Sequence, residues 1–279
     1  MKYALVNGER REAHPDLSGK GKCPACGSPM IAKCGEFKVD HWAHKSRGSC
    51  DRWWESETEW HRTWKNHFPE NWQEVVHSGE NGEKHIADVR TDEGWVIEFQ
   101  HSYLKPEERR SRDKFYPKLV WVVDGTRRKN DRKQFANALK EAKQVGESPV
   151  LHIHWWDECR LLREWSGSDK FIFFDFGGDE LCWLFQKMPN RTVYVALLYN
   201  TSFIKSHSEG DFEELVRHLK KLLKSYLQAQ ASKQIRLQPS QIRPQPRWVR
   251  RDPLEHLQQS QTRKGKRSYA RKSKRGRSK

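Results

Sequence analysis

Between residues 53 and 124 the spacing of apolar residues switches between a helical and an extended period, and that succession sets the fold class. Ser56-Glu57-Thr58-Glu59 reads as a capping box, with Ser56 capping a helix and Glu59 answering it. Trp60, Trp64 and Phe68 follow at four-residue steps and give that helix an aromatic face, which Pro69 ends. Gln73 to His77 reads as a strand, Asn81-Gly82 as a hairpin turn and Lys84 to Arg90 as the returning strand. After Asp92-Glu93-Gly94, Trp95 to His101 is a third strand. Pro106 opens a second helix, acidic in its first turn (Glu107, Glu108) and basic later (Arg109, Arg110, Arg112, Lys114), the order a helix dipole favours. Leu119-Val120-Trp121-Val122-Val123 is continuously apolar, as a buried strand is. The expectation is an α/β unit of order helix, three strands, helix, strand.

Polar side chains interrupt these apolar strands. Glu98 and Gln100 lie two residues apart and so share a face, while Trp95, Ile97 and Phe99 take the other. A hairpin-like pairing brings Asp88, in Ile86-Ala87-Asp88-Val89, close to Glu98. Two carboxylates converging among apolar residues are costly unless a cation fills the gap. Mg²⁺ (or Mn²⁺), held by one or two carboxylates plus phosphate oxygens, suits such a pair. On a helical wheel Glu57 falls among Trp60, Trp64 and Phe68, with His61 at i+4, which points it at the same site; a first-turn dipole role is the alternative. Arg109, Arg112 and Lys114 are candidates for phosphate contacts, or equally an exposed basic helix end.

Upstream, Cys23-Pro24-Ala25-Cys26-Gly27 has the outline of a metal knuckle, and His41-Trp42-Ala43-His44 and Cys50 add further ligands. A structural zinc takes four, so the expected set is Cys23 and Cys26 with two of His41, His44 and Cys50; spacing does not choose between the histidines. Cys34 is read as a bystander. With four protein ligands the ion needs no open position, so its role is structural and it supplies much of the folding energy of a short segment poor in large apolar residues.

Charge divides the chain unevenly. Residues 232–279 hold sixteen Lys/Arg against Asp252 and Glu255, so they carry +14 of the net +16. Such a polycation, with little to bury, reads as a disordered arm for nucleic acid. No apolar run has the length of a membrane span, and the charged start is unlike a secretory signal, so a cytoplasmic, reducing setting is expected. Residues 150–231 read as a mixed accessory region: a hairpin over Phe171–Phe185, a strand from Arg191 to Leu198 and a helix from Phe212 to Gln228. His152, His154, Asp157 and Cys159 there read as an alternating strand and a polar turn rather than a metal site.

In order and spacing, the Cys23–Gly27 knuckle, His41–His44, Ser56-Glu57 with His61 and Lys65, Ile86–Val89 and Glu98-Phe99-Gln100-His101-Ser102 resemble the CoiA-like competence nuclease family over roughly residues 20–125. That family looks like a branch of the PD-(D/E)XK nucleases, whose core is αβββαβ. The resemblance implies a nuclease core at 53–149 behind a zinc-ribbon-like module at 1–52, with Asp88 and Glu98 as magnesium ligands and Glu57 as an auxiliary acid on the first helix. Gln100 stands where the wider superfamily has lysine, as it does in the CoiA-like family; a neutral amide there orients the attacking water rather than stabilising charge. Ala87 replaces the proline of the PD pattern. The expected function is metal-dependent phosphodiester hydrolysis of DNA in competence, recombination, repair or anti-phage defence. The rivals are a catalytically inactive zinc-containing DNA-binding protein and an adaptor that recruits a protein partner onto DNA.

Overall fold

Alternating and continuous apolar runs produce two sheets and six α-helices among the described residues. The computed structural model describes residues 1–237 except 37, 47–49, 52, 54–56, 80, 81, 155–157 and 189–191. From residue 238 onward the basic tail lies outside the described residues, as do Ser56, Asn81 and Asp157.

The first sheet has five antiparallel strands in the order β2-β1-β3-β4-β5: β1 (Tyr3–Val6), β2 (Glu9–Glu12), β3 (Gly21–Lys22), β4 (Pro29–Gly35) and β5 (Lys38–His44). Asn7 and Gly8, with φ of 52° and 86°, supply the left-handed pair a tight β1–β2 hairpin requires. Trp42 is wholly buried with Ala4, Val6, Met30 and Cys23, and its indole N–H donates to the Arg11 carbonyl at 2.9 Å. Gly21 is needed for this packing, because a Cβ there would stand 2.5 Å from the Trp42 ring. Val76 and Ile86 of the second sheet pack against this small core.

The second sheet begins with the expected succession: α1 (Glu59–Lys65), β6 (Gln73–Ser78), β7 (Lys84–Arg90), β8 (Val96–Gln100), α2 (Pro106–Phe115) and β9 (Leu119–Asp124). One detail differs. Helix α1 starts at Glu59 and is capped by Thr58, whose hydroxyl receives the His61 N–H while His61 Nδ1 receives the Thr58 N–H. Glu57 therefore precedes the helix instead of lying on its wheel. Histidine served as the reciprocal partner, a pairing that the usual Ser/Thr…Glu pattern does not signal.

The same sheet runs on through α3 (Asp131–Lys140), β10 (Lys143–Gln144), β11 (Val150–His154), α4 (Arg160–Trp165), β12 (Phe171–Asp175), β13 (Glu180–Met188), β14 (Thr192–Tyr199), α5 (Asn200–Ser208) and α6 (Phe212–Leu237). Its order is β10-β11-β14-β13-β12-β9-β8-β7-β6, with β8, β9 and β12 parallel at the centre. Strands from residues 53–149 and 150–231 thus share one sheet. Both faces of β9 are buried: Val120 and Val122 face a core with Trp64, Phe99, Phe173 and Phe212, and Leu119, Trp121 and Val123 face another with Tyr116, Phe135, Leu162 and Trp165. No helix among the described residues is long and apolar enough to cross a membrane.

Candidate active site and metal centre

The ladder between β7 and β8 holds only at Val89↔Ile97 and Arg90↔Val96. Beyond it the strands part, and the Asp88 carboxylate takes the Phe99 N–H at 2.9 Å in place of a main-chain acceptor. On the other side of β7, pairing with β6 skips from Gln73↔Val89 to Val75↔Ala87, leaving out Glu74 and Asp88. Glu74 has φ of 47°, a left-handed conformation that non-glycine residues rarely hold. A cavity of about 480 Å³ opens at this fork, lined by Glu57, Lys65, Glu74, Asp88, Glu98 and Arg112 among others.

Its carboxylates are in unlike states. Glu98 is buried; its Oε2 accepts from Arg112 at 3.3 Å, and its Oε1 is buried with no hydrogen-bond partner. Burial, and then the nearby charge of Asp88, push the Glu98 pKa well above the ordinary carboxylate range against the pull of Arg112. Glu57 lies 2.6 Å from Lys65 Nζ, and Arg62 donates to it at 3.0 Å. Burial opposes its charge, yet Lys65 holds it below the usual range. Glu74 accepts from Lys65 at 2.8 Å and from the backbone N–H groups of Lys2 and Tyr3 at 2.6 and 2.9 Å. Burial resists its ionisation too, but Lys65 above all brings it to about 2. Lys65 itself is raised, burial being outweighed by Glu74, Glu57 and Asp88.

Helix α1 divides its faces to serve this arrangement. Trp60 and Trp64 both donate their indole N–H to Asp175 Oδ2 at 2.8 Å and pack on Phe99, while His61 and Lys65, one residue on from each, line the cavity. Helix α2 supplies Arg112, and Tyr116 follows at its end. Arg112 is buried and committed to Glu98, Glu108 and the Trp53 carbonyl, and Arg109 is buried against Trp165 and donates to the Glu164 carbonyl. Neither is the exposed phosphate contact that a basic helix end suggests; of the three candidates, Lys114 is exposed. Gln100 is buried outside the cavity lining and donates to the Ser102 carbonyl and hydroxyl at 3.2 and 3.3 Å.

In the small sheet, the Cys23 carbonyl receives the Gly27 N–H at 2.9 Å and the Cys23 N–H reaches Ser28, closing the knuckle around a left-handed Gly27 (φ 72°). Cys23, Cys26, His44 and Cys50 bring one ligand atom each within 4.8 Å of one another, a cluster that could hold a metal ion. His41 is not in it; its Nδ1 contacts the Val39 carbonyl at 2.9 Å. Cys34 is also outside, at an irregularity of β4. Burial and the neighbouring thiols Cys23 and Cys26 push Cys50 upward, whereas bonds from Ser28 and His44 outweigh burial at Cys26 and lower it to about 6.

Cluster and fork are joined by a short chain of contacts. Asp51, next to Cys50, accepts from Ile86 N–H at 2.9 Å and sits 2.8 Å from His85 Nδ1. The His85 ring stacks on Trp53 at 3.2 Å, and the Trp53 carbonyl receives Arg112 at 2.7 Å. His44 and Cys50 themselves line the cavity that holds Asp88 and Glu98. Sequence reasoning assigned no role to Lys65, Glu74, Asp51 or Tyr116. The signal for Lys65 was a lysine beside Trp64 on a helix with an aromatic face; Glu74, in a strand of mixed polarity, gave none.

Residues 10–52 match the family model described as the competence protein CoiA, N-terminal domain, which supports a CoiA-like family for the chain. The match covers the Cys/His cluster and stops before the strands that carry Asp88 and Glu98. No curated protein and no solved structure matches the chain.

Proposed function

We propose that this CoiA-like chain is a divalent-metal-dependent nuclease that hydrolyses phosphodiester bonds of DNA, with a PD-(D/E)XK-type core built on α1 to β9. The observation that carries the reading is Glu98: a buried carboxyl beside Asp88 whose Oε1 makes no hydrogen bond of good geometry among the described residues. Arg112 already bonds the other oxygen, Oε2, so Oε1 is the atom left to a second cation, which would favour the anion that burial opposes. The donor set, two carboxylates lining one cavity, fits an oxygen-preferring ion such as Mg²⁺ or Mn²⁺. Asp88 and Glu98 would hold the ion, and the chemistry it would supply is a water of lowered pKa and neutralisation of charge on the scissile phosphate.

The chain's own residues would do the positioning. The Phe99 N–H fixes Asp88, Arg112 fixes Glu98, and the Lys65 pairs fix Glu57 as a support of the site rather than a ligand. Gln100, bonded to Ser102, would steady the loop that follows β8. Three thiols and an imidazole suit a tetrahedral zinc with no open position, so the Cys23/Cys26/His44/Cys50 site would be structural. The CoiA match supports competence-related DNA processing, and the basic tail of residues 232–279 would hold the nucleic acid.

The test is cleavage of single-stranded, duplex and branched DNA by purified protein with Mg²⁺ or Mn²⁺. Metal-dependent cutting is expected. Tight DNA binding without cutting would replace the hydrolase with the non-catalytic DNA-binding reading.

A further inference from the structure

Lys65 is the most deeply placed cation of the cavity, with only 2 % of its surface exposed. A lysine ammonium carries three N–H donors. Two are engaged, by Glu57 at 2.6 Å and Glu74 at 2.8 Å, and among the described residues the third meets no further partner. The side chain lines the same cavity as Asp88 and Glu98 and feels the Asp88 charge.

The clamp around it is built at a cost. Glu74 adopts its left-handed conformation and interrupts the β6–β7 ladder opposite Asp88. A backbone outlier of this kind is unfavourable and persists only where its surroundings over-determine it. Here the carboxylate it aims inward holds Lys65 and the first backbone N–H groups of the chain, those of Lys2 and Tyr3.

We infer that Lys65 is a catalytic residue of the proposed hydrolysis: its third N–H donates to the attacking water or to a non-bridging oxygen of the scissile phosphate, with Glu57 and Glu74 as the clamp that fixes its direction. The inference rests on the nuclease reading above. It assigns to α1 the charge-stabilising ammonium that Gln100, a neutral amide outside the cavity lining, does not supply. Because both carboxylates favour the protonated form, Lys65 acts as a donor and not as a base.

The experiment compares wild type, Lys65→Met and the neutral triple variant Glu57→Gln/Lys65→Met/Glu74→Gln, the last removing the unpaired buried charges that could unfold the single one. Single-turnover DNA cleavage with Mn²⁺, Mn²⁺ affinity by calorimetry and thermal melting are measured on each full-length protein. Cleavage should fall about 100-fold or more, the scale of losing one preorganised donor, while Mn²⁺ affinity stays within about threefold and the triple variant remains folded. A folded variant that cuts within about threefold of wild type overturns the inference and leaves the nuclease reading standing. Loss of Mn²⁺ affinity in step with cleavage makes Lys65 a structural support and also overturns it. If wild type cuts no DNA with Mn²⁺, both fall together.

Discussion

The Asp88 carboxylate stands where a strand partner's carbonyl would be, accepting the Phe99 N–H at 2.9 Å just past the last paired residues, Val89 and Ile97. That substitution lets β7 peel away from β8 without orphaning a buried donor, and it turns one residue into both a structural cap and a candidate ligand. Asp88→Asn should retain this bond through its carbonyl oxygen while losing the charge. Cleavage should then fall at least about 100-fold with the fold intact by circular dichroism. Asp88→Ala should lose both, cutting no better and melting lower. Normal cleavage by either folded variant would sink the active-site assignment.

If Glu98 is the metal ligand proposed above, stability should depend on pH and metal together. Its folded pKa is raised by burial and by Asp88. Its contribution is therefore fully present below the unfolded carboxyl value, about 4.3, and is lost as pH rises through the folded value. Protein dialysed free of Mg²⁺ and Mn²⁺, with the cysteine-site metal retained, should lose melting temperature over that window. Glu98→Gln should lose less, and added Mn²⁺ should rescue wild type but not the variant. Parallel melting profiles for the two proteins would contradict this.

The Cys/His cluster predicts one metal per chain and a sharp contrast between two histidines. Elemental analysis should find about one zinc per chain in wild type and in His41→Ala. His44→Ala, Cys23→Ser and Cys26→Ser should lower the zinc content and the melting temperature, because metal binding is coupled to folding of the small sheet. Equal zinc in the two histidine variants would remove His44 from the site.

Removing residues 238–279 should weaken DNA binding and flatten its salt dependence by about 0.9 in log–log slope for each duplex phosphate that the tail had neutralised. Metal-dependent cutting at low salt should survive, since every residue assigned to the fork lies upstream. An unchanged salt slope would mean that the tail is no nucleic-acid arm.

Gly21→Ala should destabilise the small sheet by about 1–3 kcal/mol, as overpacking does, since the new methyl would meet the Trp42 ring at 2.5 Å. Thermal melting and near-ultraviolet dichroism of the tryptophans read this directly. An unshifted melt would show that Trp42 can move aside.

What could be read in the sequence was what is periodic. The helix, strand and hairpin boundaries from Trp60 to Val123 follow from apolar spacing, and Asp88 and Glu98 were conspicuous as charges on otherwise apolar strands. The knuckle was conspicuous as paired ligands, but the choice of His44 over His41 depends on the register of β5, where alternate residues take different surroundings. Glu57 lies ahead of α1 and not on it because the cap is Thr58 with His61, a pairing that the usual Ser/Thr…Glu pattern does not signal. Glu74 depends on an unusual backbone angle and Asp51 on the partners His85 and Ile86, far along the chain, and no local pattern encodes either.

The central position of β9 bears on how the chain can be shortened. Its two neighbours, β8 and β12, come from residues 96–100 and 171–175, and all six of its residues are buried. A chain ended near residue 149 would keep every residue of the fork yet strip one edge of β9 bare, with apolar side chains uncovered on both faces. Such an edge recruits another strand, so the shortened protein should pair with copies of itself rather than stand as a minimal enzyme.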